Sequence, residues 1–89
     1  MNRYLKIFLL VLTLSIGVQA AAQDNPLFDK ATEAYNKGRY DEAISYYEQI
    51  LESGRHSAAV YFNLGNSYYK KNEIAPSIYY YEKALLLEP

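Results

Sequence analysis

Four segments between Asn25 and Leu87 carry apolar side chains at three- and four-residue spacings, with polar residues between them. This spacing places the apolar side chains on one face of a helix and is typical of amphipathic helices. Glycine, asparagine and proline separate the segments, and these residues favour helix ends and turns. The pattern therefore predicts four consecutive α-helices and an all-α fold.

The first two predicted helices form a pair within residues 24–57. Asp24-Asn25-Pro26 favours a helix start, because asparagine caps the first turn and proline is tolerated inside it. We expect this helix to end near Lys37, since Gly38 adopts the left-handed cap without a Cβ clash. The second helix is expected to end at Ser53-Gly54 and to bury one stripe, which comprises Ala43, Ile44, Tyr47, Ile50 and Leu51.

The second predicted pair lies within residues 58–89. Gly65 falls inside the third helix, where glycine costs about 1 kcal/mol relative to alanine, so we expect a neighbouring helix to press on its backbone. Asn72 takes the capping place of Gly38, and Pro76 falls in the first turn of the fourth helix. The expected stripes are Tyr61, Leu64, Gly65, Tyr68 and Tyr69 in the third helix and Ile78, Tyr81, Ala84 and Leu85 in the fourth.

The two pairs repeat each other at a shift of 34 residues. Identical residues at that shift include Phe28 and Phe62, Tyr35 and Tyr69, Ile44 and Ile78, Tyr47 and Tyr81, Glu48 and Glu82, and Leu51 and Leu85. Ala31 is the equivalent of Gly65, so both repeats carry a small residue at the same place. A fixed period of this length indicates a helical solenoid.

The N-terminal segment, residues 1–22, has the pattern of a secretory signal peptide. Arg3 and Lys6 precede an apolar run over residues 7–18, and alanines follow at positions 20–22. We expect cleavage after Ala22, with Ala20 as the other candidate. The run is shorter than the roughly 20 residues that a spanning helix needs, although an uncleaved membrane anchor is the alternative. Either way, the rest of the chain is expected to be exported to the periplasm or cell envelope.

Charge and reactive side chains limit the functions that the chain can have. The net charge is −1, and loss of the two basic residues of the signal segment would leave −3, which disfavours nucleic acid and anionic lipid as partners. Cysteine is absent, which excludes thiolate chemistry and disulfides. His56, the only histidine, falls in a predicted turn, and the carboxylates are spread along helix surfaces. We therefore expect no catalytic residues, no metal site and no cofactor.

The repeat resembles the tetratricopeptide repeat (TPR), whose pattern spans 34 residues. The second repeat matches it at Tyr61-x2-Leu64-Gly65-x2-Tyr68, at Ser77-x3-Tyr81 and at Pro89, whereas the first departs at Lys30 and Ala34. The resemblance implies two helix-turn-helix repeats over residues 24–57 and 58–89. No capping helix follows the second repeat, so we expect the sequence to belong to a longer protein.

A narrower resemblance concerns residues 61–66 and 72–87. These segments, Tyr-Phe-Asn-Leu-Gly-Asn and Asn-Glu-Ile-Ala-Pro-Ser-Ile-Tyr-Tyr-Tyr-Glu-Lys-Ala-Leu-Leu-Leu, resemble the TPR member of the bacterial aerotolerance (Bat) proteins. Members of that family likewise begin with a signal sequence followed by repeats. The resemblance implies a place in the bacterial cell envelope and a link to aerotolerance.

In the TPR family the first helix of each pair lines a concave groove that binds partners. Carried over by position, this groove would be lined by Phe28, Thr32, Tyr35, Asn36, Phe62, Asn63, Asn66, Tyr69 and Lys70. Aromatic rings and amides together suit an extended peptide. The clamp that some members use for a terminal carboxylate is disfavoured, because Phe28 and Thr32 occupy the places of its lysine and asparagine, and only Asn63 matches.

The remaining tyrosines are expected to serve packing. Tyr47, Tyr68 and Tyr81 fall on the apolar stripes and should be core residues, whereas Tyr79 and Tyr80 are expected to face outward or toward a following repeat. The sequence thus favours a non-catalytic scaffold or adaptor that binds a protein or peptide in its groove. The alternatives are a membrane-tethered, self-associating assembly component and the N-terminal part of a larger multidomain protein or enzyme subunit. Contact with a membrane would then come only from an uncleaved N-terminal segment or a membrane-bound partner.

Overall fold

A computed structural model describes residues 25–89 and contains four α-helices in that range. They are α1 (Pro26–Asn36), α2 (Tyr40–Glu52), α3 (Ala58–Lys70) and α4 (Ile74–Leu87). No strand occurs among these residues, so the all-α prediction is confirmed for them. The predicted signal peptide and Asp24 lie outside the described residues. None of the four helices has the length and hydropathy needed to cross a lipid bilayer.

Helix ends follow the capping chemistry of the sequence. Asn25 Oδ1 accepts hydrogen bonds from the N–H groups of Leu27 and Phe28, at 3.1 and 3.4 Å, and Pro26 occupies the first position of α1. Ser57 Oγ accepts from the Val60 N–H at 3.2 Å at the start of α3. These bonds satisfy N–H groups that have no partner within their helix.

The three turns between helices share one geometry. Gly38, Gly54 and Asn72 have φ values of 77°, 86° and 63°, in the left-handed region. In each turn the next residue donates its N–H back to a carbonyl five residues earlier: Arg39 to Ala34, Arg55 to Ile50 and Glu73 to Tyr68, at 2.8–3.3 Å. This is the Schellman arrangement, which glycine and asparagine favour. The predicted capping roles of these three residues are confirmed.

The core lies where α2 packs between α1 and α3. Tyr47 and Ile50 of α2 are almost fully buried there. They join small residues of α1 and aliphatic residues of α3 in one cluster, which comprises Ala31, Ala34, Ala43, Ile44, Tyr47, Ile50, Val60 and Leu64. Four of the five residues of the predicted α2 stripe are therefore buried, and Leu51 packs against the same cluster while partly exposed.

Gly65 lets α4 approach the backbone of α3. A Cβ at this position would lie 2.5 Å from Cδ1 of the Tyr81 ring, which is closer than real Cβ contacts allow. Tyr81 therefore packs directly on the glycine, and the predicted close approach is confirmed.

Two expectations about α4 were wrong. Ile78 and Leu85 are exposed, and the buried residues of α4 are Ser77 and Ala84, because no helix in the described part of the chain covers the Ile78 side. Tyr80 does not face outward: its ring stacks on those of Tyr61 and Tyr68, with centroids 6.1 and 5.6 Å apart. The adjacent Tyr79 is about half exposed, as expected.

Candidate partner-binding groove

The predicted groove residues of the first repeat lie on one side of α1. Phe28, Thr32 and Asn36 follow one another at four-residue spacings and line a shallow recess of about 470 Å³, together with Asp29, Glu33 and Lys37. Tyr35 does not line this recess. Its ring packs edge-on against that of Tyr40, with centroids 5.4 Å apart. The recess therefore gathers three of the four predicted residues, while Tyr35 is engaged in the turn to α2.

Tyr47 of α2 contacts two of the recess residues of the first repeat, Phe28 and Thr32. Its ring meets Phe28 edge-on at 5.7 Å, and its hydroxyl lies 3.4 Å from Thr32 Oγ1. The Thr32 hydroxyl also hydrogen-bonds to the Phe28 carbonyl at 2.9 Å. Burial raises the pKa of Tyr47, although its hydrogen bonds with Thr32 and Asn63 oppose the shift. Thr32 is thus a structural partner of Tyr47 within this recess.

Tyr81 repeats this arrangement in the second repeat. Its ring lies 5.6 Å from that of Phe62, and its hydroxyl donates to Asn66 Oδ1 at 2.6 Å. Phe62 and Asn66 are the equivalents of Phe28 and Thr32 at the 34-residue shift. In each repeat, therefore, one tyrosine of the second helix positions two groove residues of the first helix.

The exposed groove surface is concentrated on α3. The Phe62 and Tyr69 side chains are 53% and 60% exposed. Asn66, between them along the helix, uses its Oδ1 for Tyr81, which leaves its Nδ2 group as the donor that it can offer to a ligand. Asn63 is partly buried, and Lys70 is exposed at the end of α3. This surface can bury apolar side chains and donate a hydrogen bond to a peptide carbonyl.

A second recess, of about 430 Å³, lies between the N-terminal ends of α1 and α3. Phe28 and Asp29 line it from α1, Ala59 and Val60 from α3, and Arg55 and His56 lie on its rim. His56 Nδ1 is 2.5 Å from the Tyr61 hydroxyl, so this histidine forms a hydrogen bond with a residue of α3. No group of three or more histidine, cysteine or acidic side chains suited to a metal ion occurs within residues 25–89.

Ion pairs lie at the ends of the helices near the groove. Lys37 Nζ lies 2.7 Å from Glu33 Oε1, and this hydrogen bond lowers the pKa of Glu33. Lys71 Nζ lies 2.5 Å from Asp41 Oδ1 and 3.2 Å from Glu73 Oε2, and hydrogen bonds to both carboxylates raise the pKa of the lysine. The Lys71–Asp41 pair joins the end of α3 to the start of α2, as the antiparallel arrangement of these two helices allows.

The supporting tyrosines were not recognised as groove elements from sequence. Tyr47 and Tyr81 were expected only as core residues, and their hydroxyl contacts with Thr32 and Asn66 depend on how the helices cross. The signal that was available is their equivalence at the 34-residue shift, shared with Phe28 and Phe62. Tyr68, also expected in the core, is partly buried, and its hydroxyl donates to Glu48 Oε1 at 3.2 Å.

Two antiparallel helix pairs, repeated along the chain with equivalent contacts, define a helical-repeat protein. The tetratricopeptide repeat family matches residues 28–88, so this chain belongs to that family. The Saccharomyces cerevisiae protein "Heat shock protein STI1" is 35% identical to it over a 66-residue alignment that covers 66% of this chain and 11% of the yeast protein. The repeats of this family are protein–protein interaction modules that bind protein or peptide partners.

Proposed function

We propose that this chain is a non-catalytic adaptor of the bacterial cell envelope that binds an extended peptide segment of a partner protein along α1 and α3. We further propose that it acts in an aerotolerance-related complex, because residues 61–66 and 72–87 resemble the TPR member of the bacterial aerotolerance proteins. The observation that carries the binding proposal is the pair of exposed rings, Phe62 and Tyr69, on either side of an asparagine held by Tyr81.

The spacing of these residues defines the peptide that would bind. Phe62 and Tyr69 are seven residues apart on α3, which is about 10 Å along the helix axis at 1.5 Å per residue. A polyproline II peptide brings side chains three residues apart onto one side, about 9 Å from each other. The proposed ligand therefore carries two apolar residues separated by two others, and a backbone carbonyl between them accepts from Asn66.

The binding proposal is tested by affinity capture from a periplasmic fraction. We expect the wild-type chain to retain a specific partner that Tyr69→Ala and Asn66→Ala lose, because these changes remove a contact surface and a donor. Tyr79→Ala is the matched control, since Tyr79 is also a half-exposed tyrosine but lies on α4, outside the predicted groove. Recovery of the same partners by all variants would contradict the assignment of the groove.

Asn66→Ala also removes the acceptor of the Tyr81 hydroxyl, so its fold must be checked. Tyr69→Ala has no such complication, because that side chain is largely exposed. A loss of partner with Tyr69→Ala and an unchanged circular dichroism melting curve supports a binding role. A lowered melting temperature in both variants, with binding retained at low temperature, would contradict it.

The export part of the proposal has its own test. If residues 1–22 are a cleaved signal peptide, the intact mass of the envelope protein should correspond to a chain that begins at Gln23. A mass that retains residues 1–22 would contradict cleavage and would favour the membrane-tethered assembly component. Recovery of the protein from the cytoplasm alone would contradict export.

A further inference from the structure

The second repeat contains a tyrosine cluster between α3 and α4, which comprises Tyr61, Tyr68, Tyr79 and Tyr80. Tyr80 lies at its centre, and its ring stacks on those of Tyr61 and Tyr68 with interplanar angles of 22° and 8°. The ring of Tyr79 meets that of Tyr80 edge-on, with centroids 5.0 Å apart. Aromatic rings at such distances are in contact. An electron can therefore pass from ring to ring through the cluster without crossing solvent.

Tyr61 has a proton acceptor at its hydroxyl group. His56 Nδ1 lies 2.5 Å from the Tyr61 hydroxyl oxygen, and the centroids of the two rings are 5.8 Å apart. A neutral imidazole that carries its proton on Nε2 accepts a phenol proton at Nδ1. This distance is within the reach that a general base needs. Because His56 is exposed and Tyr61 is 7% exposed, the imidazole connects a sheltered phenol to solvent.

A neighbouring positive charge makes this proton acceptor important for oxidation of the phenol. A phenol that loses only an electron becomes a radical cation, whereas loss of an electron and a proton gives a neutral radical. Lys83 Nζ lies 5.8 Å from the centre of the Tyr61 ring and 5.4 Å from that of Tyr79, and its charge disfavours a cation on either ring. The lysine thus favours the path in which the proton leaves with the electron, and His56 lies where it can accept that proton.

We propose that the tyrosine cluster is a redox site that takes one oxidising equivalent from a small one-electron oxidant, such as a peroxyl radical, and holds it on Tyr61. The oxidant contacts Tyr79, which is 52% exposed, and an electron reaches it from Tyr61 through Tyr79 and Tyr80. The O–H bond of Tyr61 breaks, and its proton moves to His56 Nδ1. The products are the reduced oxidant, a neutral phenoxyl radical on Tyr61 and an imidazolium.

Tyr61 is a better holder of the radical than Tyr68. The Tyr68 hydroxyl also has an acceptor, Glu48 Oε1, but at the longer distance of 3.2 Å. A carboxylate is in addition an intrinsically weaker base than an imidazole. The low exposure of Tyr61 separates its radical from other radicals in solution, with which an exposed phenoxyl group couples. A one-electron reductant of the enediol class then returns the electron and becomes a radical itself, while His56 returns the proton.

The test is laser flash photolysis of the full chain with a ruthenium polypyridyl complex, whose photogenerated Ru(III) form is the one-electron oxidant. Transient absorption follows the tyrosyl radical. We expect a rapidly formed, long-lived radical that Tyr61→Phe removes. His56→Gln should slow its formation by about tenfold or more, because glutamine can hydrogen-bond to the phenol but is too weak a base to accept its proton. Ascorbate, an enediol, should remove the radical.

The route through Tyr79 is tested with a matched pair of variants. Tyr79→Phe should slow formation of the radical, because phenylalanine is not oxidised in place of tyrosine. Tyr69→Phe is the control, since Tyr69 is also exposed but lies outside the tyrosine cluster, and it should change neither the rate nor the lifetime. Equal rates in these two variants would overturn the proposal.

Chemical rescue distinguishes proton transfer from a structural role of His56. In His56→Ala, added imidazole should restore rapid formation of the radical, and it should have no such effect in the double variant with Tyr61→Phe. Failure of imidazole to restore the rate would overturn the proposal, because His56 would then serve packing alone. Equal rates in the wild type and in His56→Gln, or a long-lived radical that persists in Tyr61→Phe with unchanged circular dichroism, would also overturn it.

Discussion

The second helices of the two repeats share an isoleucine, a Tyr-Tyr-Glu segment and a leucine at equivalent positions, but they lie in two different environments. Ile44 of α2 is 7% exposed, whereas its equivalent Ile78 on α4 is 50% exposed. Both helices keep the same tyrosine contact with their own first helix, through Tyr47 and Tyr81. The difference arises because α3 lies on α2, and no described helix lies on the corresponding side of α4. Packing within a repeat is thus set by its own residues, whereas the burial of its outer stripe depends on a neighbour.

Truncation of the paired isoleucines gives the largest expected contrast. Ile44→Ala should lower the free energy of unfolding by about 2–4 kcal/mol, because it removes buried methylene groups and leaves a cavity. Ile78→Ala should cost less than about 1 kcal/mol, since half of that side chain already contacts solvent. Urea denaturation of the full chain measures both. Equal losses would show that the two faces are equally covered in solution and would break the comparison.

The paired small residues provide the next contrast. Gly65→Ala should destabilise the chain by about 1–2 kcal/mol net, because the new methyl group collides with the Tyr81 ring while alanine favours the helix by about 1 kcal/mol. Ala31, the equivalent residue, already has a Cβ at this place. The control is Gly65→Ala in a Tyr81→Val background, where the change should be neutral or stabilising. Destabilisation in both backgrounds would contradict the ring contact as its cause.

Tyr68 introduces a pH dependence that its equivalent in the first repeat, Ala34, cannot have. Burial, and secondarily the Glu48 carboxylate, raise the pKa of Tyr68 to about 12, above the value near 10 expected in the unfolded chain. The protonated Tyr68 side chain therefore contributes its full stabilisation of the folded chain below pH 10, and this contribution is lost as the pH rises toward 12. We expect the loss to be about 1 kcal/mol, reduced by partial exposure.

The measurement for Tyr68 is the urea midpoint between pH 9 and 12. Burial also raises the pKa values of Tyr47 and Tyr80, so some decline should persist in every variant. Tyr68→Phe should flatten the curve, whereas Tyr69→Phe, at the exposed neighbouring position, should leave it unchanged. Identical curves for the wild type and Tyr68→Phe would contradict this role of Tyr68.

The two equivalent turns should give the smallest effects, of opposite sign. Asn72→Gly should stabilise the chain by a few tenths of a kcal/mol, because glycine adopts a positive φ more readily than asparagine. Gly38→Asn should destabilise it, because asparagine adopts a φ of 77° less readily than glycine. The effect should be similarly small, since no neighbouring atom obstructs a side chain there. Thermal denaturation of the two single variants and of the double swap checks the signs. Changes of the same sign would show that the turns are not equivalent.

Features with a local cause were predictable from sequence. The caps at Asn25, Gly38 and Asn72 depend on backbone conformations and hydrogen bonds within a few residues, so their identities indicate the helix ends. The 34-residue period predicted the pairing of helices, and Gly65 indicated a close approach between two of them. The candidate groove was predicted as a set of positions on α1 and α3, and its binding role stays a prediction.

Apart from the close approach at Gly65, the contacts between neighbouring helices were not predictable in this way. The sequence determined the four helices, their turns and the repeat, because these follow from spacing and capping over short distances. Only the tertiary structure decided that Tyr80 stacks between Tyr61 and Tyr68, that Ile78 and Leu85 face solvent, and that Tyr47 and Tyr81 hold Thr32 and Asn66. An apolar stripe specifies which side of a helix can be buried, but burial itself requires another surface to pack against it.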